Sequence, residues 1–420
     1  MLIGAIADDL TGATDLALML ARGGMHTVQV VGVPEEGFDY RGADAVVIAL
    51  KSRTTPPAEA VEESLASLAR LQEAGAKQII FKYCSTFDST AEGNIGPVTD
   101  ALMRAMGETL TIVCPAFPAN GRTIYQGHLF VGDQLLSDSP MKDHPLTPMR
   151  DSSLVRLMAA QSRNKVGLVG HDVVRRGADA IRSAMRQAQE EGTTVLVVDA
   201  ITDDDLRTIG EAIAELRLIT GGSGIALGLP ENFRKSGALD KVGGNAAFNA
   251  PEGRAVILAG SCSKATRGQI EFAIEAGTPT FQIDPLAIAD GTLKPADAIG
   301  WALAQSETPL LYSSADPEIV RQIQDRLGRD RAGEIVEHFL ADVAVALRDN
   351  GFRRFLVAGG ETSGAVVNAL KVSALHIGPE IDPGVPWTVS LDEGEQVALA
   401  LKSGNFGGPD FFQKAWRLLA

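Results

Sequence analysis

Leu2-Ile3-Gly4-Ala5-Ile6-Ala7-Asp8-Asp9-Leu10-Thr11-Gly12-Ala13 stands at the head of the chain. Its apolar run reads as a buried strand over Leu2–Ala7, followed at once by two acids and then by a helix over Thr14–Arg22 that stops at Gly23-Gly24. The same succession of apolar run, turn and amphipathic helix repeats downstream. Val28–Val33, Ala45–Leu50, Gln78–Tyr83 and Leu110–Cys114 read as further strands, and Val61, Leu65, Leu68 and Leu71 recur at helical spacing between Pro57 and Gly75. Runs rich in Val and Ile without polar alternation suit a parallel sheet covered on both faces. Alternating strands and helices make the class α/β.

Pro115–Asp151 breaks the rhythm with five prolines and reads as a long irregular segment, of the kind that is often functional. Strands return at Val166–Val169, Val195–Asp199 and Leu218–Thr220. Around Pro230–Glu252 the pattern dissolves into Asn, Gly, Lys and Pro. The expected layout is therefore one domain over 1–235, a linker over 236–253 and a second domain over 254–420. The second series comprises strands Ala255–Ala259, Thr280–Ile283, Leu310–Ser313, Phe355–Ala358 and Val397–Leu401. Helices Ala265–Glu275, Ala296–Gln305, Glu334–Arg348, Ser363–Leu370 and Asp410–Leu418 belong to it. Two α/β domains on one linker would form an interdomain active-site cleft suited to small ligands.

Composition narrows the function. In 420 residues, 38 Lys and Arg face 53 Asp and Glu, a net charge of −15 that argues against coating nucleic acid but leaves room for a local anion pocket. Three widely spaced cysteines without a Cys-x-x-Cys pair argue against structural zinc or a disulfide framework and fit a reducing cytoplasm. The N-terminus lacks a basic n-region, so it is not read as a signal peptide, and apolar runs such as Leu218–Pro230 are too short for a membrane span. The abundance of apolar residues is compatible with a homo-oligomer.

Chemistry-bearing residues gather at predicted strand ends. Asp8 and Asp9 sit at the carboxyl edge of the first strand, where ligands bind in open α/β sheets. One of them could take a proton from a hydroxyl or hold Mg²⁺, the alternative being that Asp9 or Thr11 caps the helix. Lys82-Tyr83-Cys84-Ser85-Thr86-Phe87-Asp88-Ser89-Thr90 puts a cation, an acid and several hydroxyls in one loop, a set suited to a small polyhydroxylated anion. Arg53 adds a second cation after another strand, and Arg122 stands in the proline-rich stretch. Gly222, Gly224 and Gly228 miss the G-x-G-x-x-G spacing by one residue, which leaves a dinucleotide-dependent oxidoreductase as a weak rival. A tight turn there, able to hold an anion, is the simpler reading.

Three glycine- and hydroxyl-rich loops follow strands in the second half: Ala259–Lys264, Ala358–Gly364 and Lys402–Gly408. Glycine admits close backbone approach and free helix-start N–H groups favour phosphate, so together the loops suggest a polyphosphate site. Neither a Walker A pattern nor a protein-kinase signature nor a G-x-S-x-G elbow occurs.

From Gly4–Ala13 through Lys82–Gly96 and Cys114–Arg122 to Ala400–Gly407, the sequence resembles the four-carbon acid sugar kinase family, most closely its 3-oxo-tetronate kinases. The resemblance implies an N-terminal acid-sugar-binding domain, a C-terminal nucleotide-binding domain and ATP- and Mg²⁺-dependent phosphorylation of the C4 hydroxyl of 3-oxo-tetronate. It implies ATP contacts at Ser261, Gly359, Gly360, Glu361, Thr362 and Gly404; the strand-end position of Asp8 and Asp9 makes one of them the expected group that orients or deprotonates the hydroxyl. Substrate contacts are expected among Arg53, Lys82, Asp88, Ser89, Thr90 and Arg122, and the metal ligands stay unassigned. In threonate and erythronate kinases an arginine often follows the Asp-Ser-Thr triplet. Here Ala91-Glu92-Gly93 follows it, which favours the oxo acid, with threonate or erythronate as the alternative substrate. A non-catalytic acid-sugar sensor is the remaining rival.

Overall fold

The computed structural model describes residues 1–144, 146–240, 248–313 and 317–419 and divides the chain into two units, Met1–Ala246 and Ala247–Ala420. Part of the expected linker, residues 241–247, lies outside the described residues.

In the first unit, β1 (Ile3–Ala7), β2 (Thr27–Val31), β3 (Ala45–Ala49), β4 (Gln78–Lys82) and β5 (Thr111–Cys114) are followed by a small hairpin sheet of β6 (Arg122–Tyr125), β7 (His128–Val131) and β8 (Gln134–Leu135). The main sheet resumes with β9 (Val166–Val169), β10 (Val195–Val198) and β11 (Leu218–Gly221). Its eight strands run parallel in the order β2-β3-β1-β4-β11-β5-β10-β9. All five residues of β1, β3 and β4 are buried, as unalternated apolar strands require when both faces are covered.

The second unit has β12 (Arg254–Ala259), β13 (Thr280–Gln282), β14 (Leu310–Tyr312), β15 (Phe352–Ala358), β16 (Ala374–Asp382), β17 (Val385–Ser390) and β18 (Ala398–Lys402), in the order β13-β14-β12-β15-β18-β17-β16. Two strands of this sheet, β16 and β17, were not anticipated. β17 runs antiparallel to both β18 and β16, because Pro383 and Gly384 close a tight hairpin that the search for strand–helix alternation passed over. The core beneath it centres on Trp387, whose indole N–H donates to the Ala415 carbonyl at 2.8 Å.

Other expectations also change. The proline-rich segment holds the β6-β7-β8 sheet and short 3-10 turns, because prolines punctuate it without interrupting the ladders. The helix Ile95–Met106, ended by left-handed Gly107, was not anticipated, nor was the helix Leu229–Lys235 inside the presumed boundary, where Pro230 occupies a tolerated first-turn position. The first helix begins earlier than expected, at Leu10, so Asp9 is its N-cap. No helix among the described residues is long and apolar enough to cross a membrane.

Strand order fixes where ligands can bind. In the first unit β1 leads outward to β2, whereas its neighbour β4 leads the opposite way toward β5. In the second, β12 leads outward to β13 while its neighbour β15 leads toward β16. Adjacent strands whose connections diverge leave a crevice beyond their carboxyl ends, the usual ligand position in open α/β sheets.

Candidate active-site residues at two sheet switch points

Beyond β1, β3 and β4 the first crevice collects charge. Arg53, just after β3, forks onto Asp8, with Nε donating to Oδ2 at 2.8 Å and Nη2 to Oδ1 at 2.9 Å. The same Nη2 donates to Asp9 Oδ1 at 2.5 Å, and Nη1 lies 3.8 Å from Asp88 Oδ2. Asp9 also caps its helix, accepting from the Gly12 N–H at 3.1 Å and from the Thr11 hydroxyl at 2.8 Å. The capping role read from sequence and the ion pair are thus both real. Lys82 ends β4, nearly buried; a Cβ on Gly12 would stand 2.7 Å from its Nζ, so glycine is what allows lysine and helix start to meet.

Asp8 and Asp9 differ although they are adjacent. Burial raises the Asp8 carboxyl above its ordinary value, and Arg53 only partly offsets this. Burial pulls Asp9 upward too, but Arg53, Lys82, the Thr11 hydroxyl and the Gly12 N–H outweigh it and hold Asp9 below the usual range. The Asp8 side chain is 6% exposed and that of Asp9 23%. Arg53 itself is held above its normal value: burial opposes its charge, and Asp8 and Asp9 overcome that opposition. Its guanidinium binds both acids, and its side chain is 25% exposed.

The loop after β4 is folded under strain. Phe87 and Asp88 both take positive φ, 65° and 47°, a region non-glycine residues seldom adopt. Phe87 is buried edge-on against Tyr83, and Asp88 Oδ1 accepts from the Thr86 hydroxyl at 2.6 Å. Two residues that sequence reading did not single out hold this loop. Asn94 Nδ2 donates to the carbonyls of Ser52 at 2.7 Å and Thr55 at 3.1 Å, tying it to the Arg53 turn. Gln161 Nε2 donates to Ser89 Oγ at 2.9 Å and to the Thr90 carbonyl. Thr90 borders a separate hollow of about 410 Å³ with Met149, Arg150 and Asp151. The contacts of Arg122 lie elsewhere: its Nη1 donates to the Asn120 carbonyl, and among the described residues no hydrogen bond or ion pair joins it to the Asp8–Arg53 cluster.

The Gly221–Gly228 turn has a packing explanation. A Cβ at Gly222 would come 2.7 Å from the Pro115 carbonyl oxygen, and one at Gly228 2.7 Å from the Gly210 Cα. These glycines let backbones meet, and the turn is largely buried.

Beyond β12 and β15 the second crevice is a cavity of about 350 Å³. Ser261, Gly359, Gly360, Glu361 and Thr362 all line it. The Gly360–Ala369 helix starts without a side-chain cap, and Gly359 reaches φ 130°, which effectively only glycine adopts. A Cβ on Gly260 would collide with the Thr362 hydroxyl. Gly404, after β18, is not on the cavity wall but abuts it: a Cβ there would lie 2.5 Å from Ser261 Oγ. Its carbonyl accepts from Ser263 Oγ at 2.5 Å and Thr266 Oγ1 at 2.9 Å. Ile323 and Val336 supply an apolar wall, and Glu337 a second carboxylate. No group of three or more His, Cys, Asp or Glu side chains among the described residues forms a metal cage.

This is the architecture of a two-domain α/β protein with a charged crevice in one domain and a glycine-lined one in the other, and comparison with known proteins agrees. A sugar-binding N-terminal domain matches residues 3–229, and a nucleotide-binding C-terminal domain matches 256–412. A 3-oxo-tetronate kinase of Cupriavidus necator is 56% identical over 420 residues, covering 100% of this chain and 97% of that protein. One of Pseudomonas fluorescens is also 56% identical, with coverage of 100% and 97%. A solved structure from Salmonella typhimurium LT2, provisionally described as a tRNA synthase, superposes with a TM-score of 0.89 at 44% identity, covering 99% of this chain and 98% of the other. The chain belongs to the family of the 3-oxo-tetronate kinases.

Proposed function

We propose that this chain is an ATP-dependent kinase that phosphorylates the C4 hydroxyl of 3-oxo-tetronate, giving the 4-phosphate. The observation that carries the reading is the glycine-lined cavity of about 350 Å³ at the switch point of the nucleotide-binding domain. A polyphosphate needs backbone N–H groups at close range, and the helix start at Gly360, Glu361 and Thr362 offers them. The choice of acid sugar rests on the full-length likeness to 3-oxo-tetronate kinases and on the Asp88–Gly93 loop.

Asp9 orients the attacking hydroxyl and takes its proton. It is the more exposed acid of the pair, and it stays anionic at neutral pH. A depressed value makes it a weak base, which suffices because phosphoryl transfer depends mostly on positioning and charge neutralisation. Arg53 and Asp8 hold Asp9 in place. Lys82, not committed to a fork as Arg53 is, faces the sugar acid's carboxylate, while Asp88, Ser89 and Thr90 face its hydroxyls.

The cavity wall combines Glu361 and Glu337 with the Ser261 and Thr362 hydroxyls, an all-oxygen set that suits Mg²⁺. Glu361 would hold the ion, which neutralises phosphate charge when bound. The chain's own contribution is to cradle the phosphates on Gly359 and Gly360 and to aim Asp9 at the hydroxyl. Transfer needs donor and acceptor atoms within about 3–3.5 Å of each other in the working complex.

Coupled ADP release with Mg-ATP tests this directly. Turnover is expected with 3-oxo-tetronate; turnover confined to threonate or erythronate would move the substrate and keep the chemistry. Nicotinamide cofactors rather than ADP raising the melting temperature would favour an oxidoreductase.

A further inference from the structure

Lys402, the last residue of β18, is a lysine with no exposed surface, in a place where charge is costly. Its Nζ donates to three oxygens: Thr266 Oγ1 at 3.1 Å, the Ser403 carbonyl at 3.0 Å and the Gly404 carbonyl at 2.9 Å. Its own backbone carbonyl accepts from the Gly359 N–H at 2.8 Å. One residue therefore joins the three loops at the cavity: the Gly404 turn, the helix start at Ser263–Thr266 and Gly359. Gly404 in turn presses on Ser261, which lines the cavity.

Every acceptor around this ammonium is neutral. Burial alone brings Lys402 down to about 7. The charged side chains on the surrounding elements are Arg353 and Arg354 of β15, Glu361 of the Gly360–Ala369 helix, and Lys264, Arg267, Glu271 and Glu275 of the Lys264–Glu275 helix; none contributes to the shift. A neutral amine has only two N–H donors for three acceptors, so losing the proton frees one of the oxygens that fix the Gly404 turn.

We propose that Lys402 is a positioning residue of the nucleotide site, a buried amine that in its protonated form locks the Gly404 turn against Ser261 and whose charge is completed by the phosphates of bound nucleotide. The proposal rests on the reading of this cavity as the ATP site. Binding of a polyanion favours the ammonium, so Nζ takes one proton from the buffer as nucleotide binds, and no other bond changes. Lys402 acts through the turn and does not touch the reacting atoms.

Calorimetric titration of the full-length protein with Mg-ADP, at pH 8 in two buffers of different ionisation enthalpy, tests it without a variant. The terminal phosphate of ADP is already fully ionised there, so uptake of most of one proton per site is expected. Lys402→Met should abolish that uptake and raise KM for ATP at least tenfold while leaving KM for the sugar acid unchanged. Lys402→Arg, charged throughout, should bind ADP with no proton uptake and no weakening between pH 7 and pH 9. Tight ADP binding by the wild-type protein with no proton uptake would overturn the proposal and leave the nucleotide site standing. Failure of the wild-type protein to bind ADP at all would overturn both.

Discussion

The two switch points share a position in their sheets but solve opposite problems. At the ends of β1, β3 and β4, side chains dominate: Asp8, Asp9 and Asp88 meet Arg53 within 4 Å. At the ends of β12, β15 and β18, backbone dominates, with glycines at 260, 359, 360 and 404 and a single hidden cation. A small acid offers few atoms and must be recognised by directed charges. A polyphosphate offers many equivalent oxygens and is met by many equivalent N–H groups. The first crevice therefore depends on side-chain placement, and the second on what is missing from its side chains.

The largest effect should separate the two. Asp9→Asn is expected to cut turnover at least ~100-fold, the lower range for a general base, while ADP affinity stays at the wild-type value. Steady-state rates and ADP titration on the same preparation check it. Loss of ADP binding in that variant would mean the two crevices are not independent.

Next in size is the frame that holds Asp9. Arg53→Ala leaves the buried Asp8 and the part-exposed Asp9 without their shared cation; breaking a fully buried pair costs about 3–5 kcal/mol, and the part exposure here puts the expected loss below that. Denaturant unfolding should register it. Arg53→Lys should recover part of the stability but little activity, because an ammonium cannot fork onto two carboxylates.

A smaller effect is expected on the other side. Gly359→Ala forces an alanine into φ 130°, a cost of order 1–3 kcal/mol. Its consequence should appear as a raised KM for ATP with the KM for the sugar acid unchanged.

The smallest is a pH effect inside the first crevice. The folded value of Asp9 is depressed, so its stabilising contribution is full above the ordinary value of 3.8 and is lost as pH falls through the depressed one. Asp8 is raised, so its ionised form costs stability at neutral pH, and the cost is relieved as pH falls through the raised value. Melting temperature against pH should show a flatter acid limb in Asp9→Asn and a steeper one in Asp8→Asn.

The strands that carry both crevices were legible because β1, β3, β4, β12 and β15 each contain a short apolar run with a loop of unusual composition behind it. Ser261, Gly359, Gly360, Glu361 and Thr362 came from the resemblance, and all five line one cavity. The β16–β17 hairpin was passed over because its strands alternate, Leu375, Ile377 and Ile381 against His376, Glu380 and Asp382, and Val385, Trp387 and Val389 against Thr388 and Ser390, whereas the reading sought unbroken apolar runs. Asn94 and Gln161 were invisible for another reason: each acts across a sequence separation of about 40 to 70 residues on backbone oxygens or a hydroxyl. No local pattern marks an amide that will meet such groups. Lys402 looks in sequence like any lysine before a glycine turn, and only burial sets it apart. The near-miss glycine fingerprint at Gly222–Gly228 shows the reverse case, in which a pattern that resembles a cofactor loop is explained by backbone packing.

The most direct test of the account is ADP release measured with Mg-ATP against 3-oxo-tetronate, generated in place by a dehydrogenase, alongside D- and L-threonate and D- and L-erythronate. The account predicts strong turnover with the oxo acid alone and its loss in Asp9→Asn. Folded, ADP-binding protein that releases no ADP with any of these acids would contradict it.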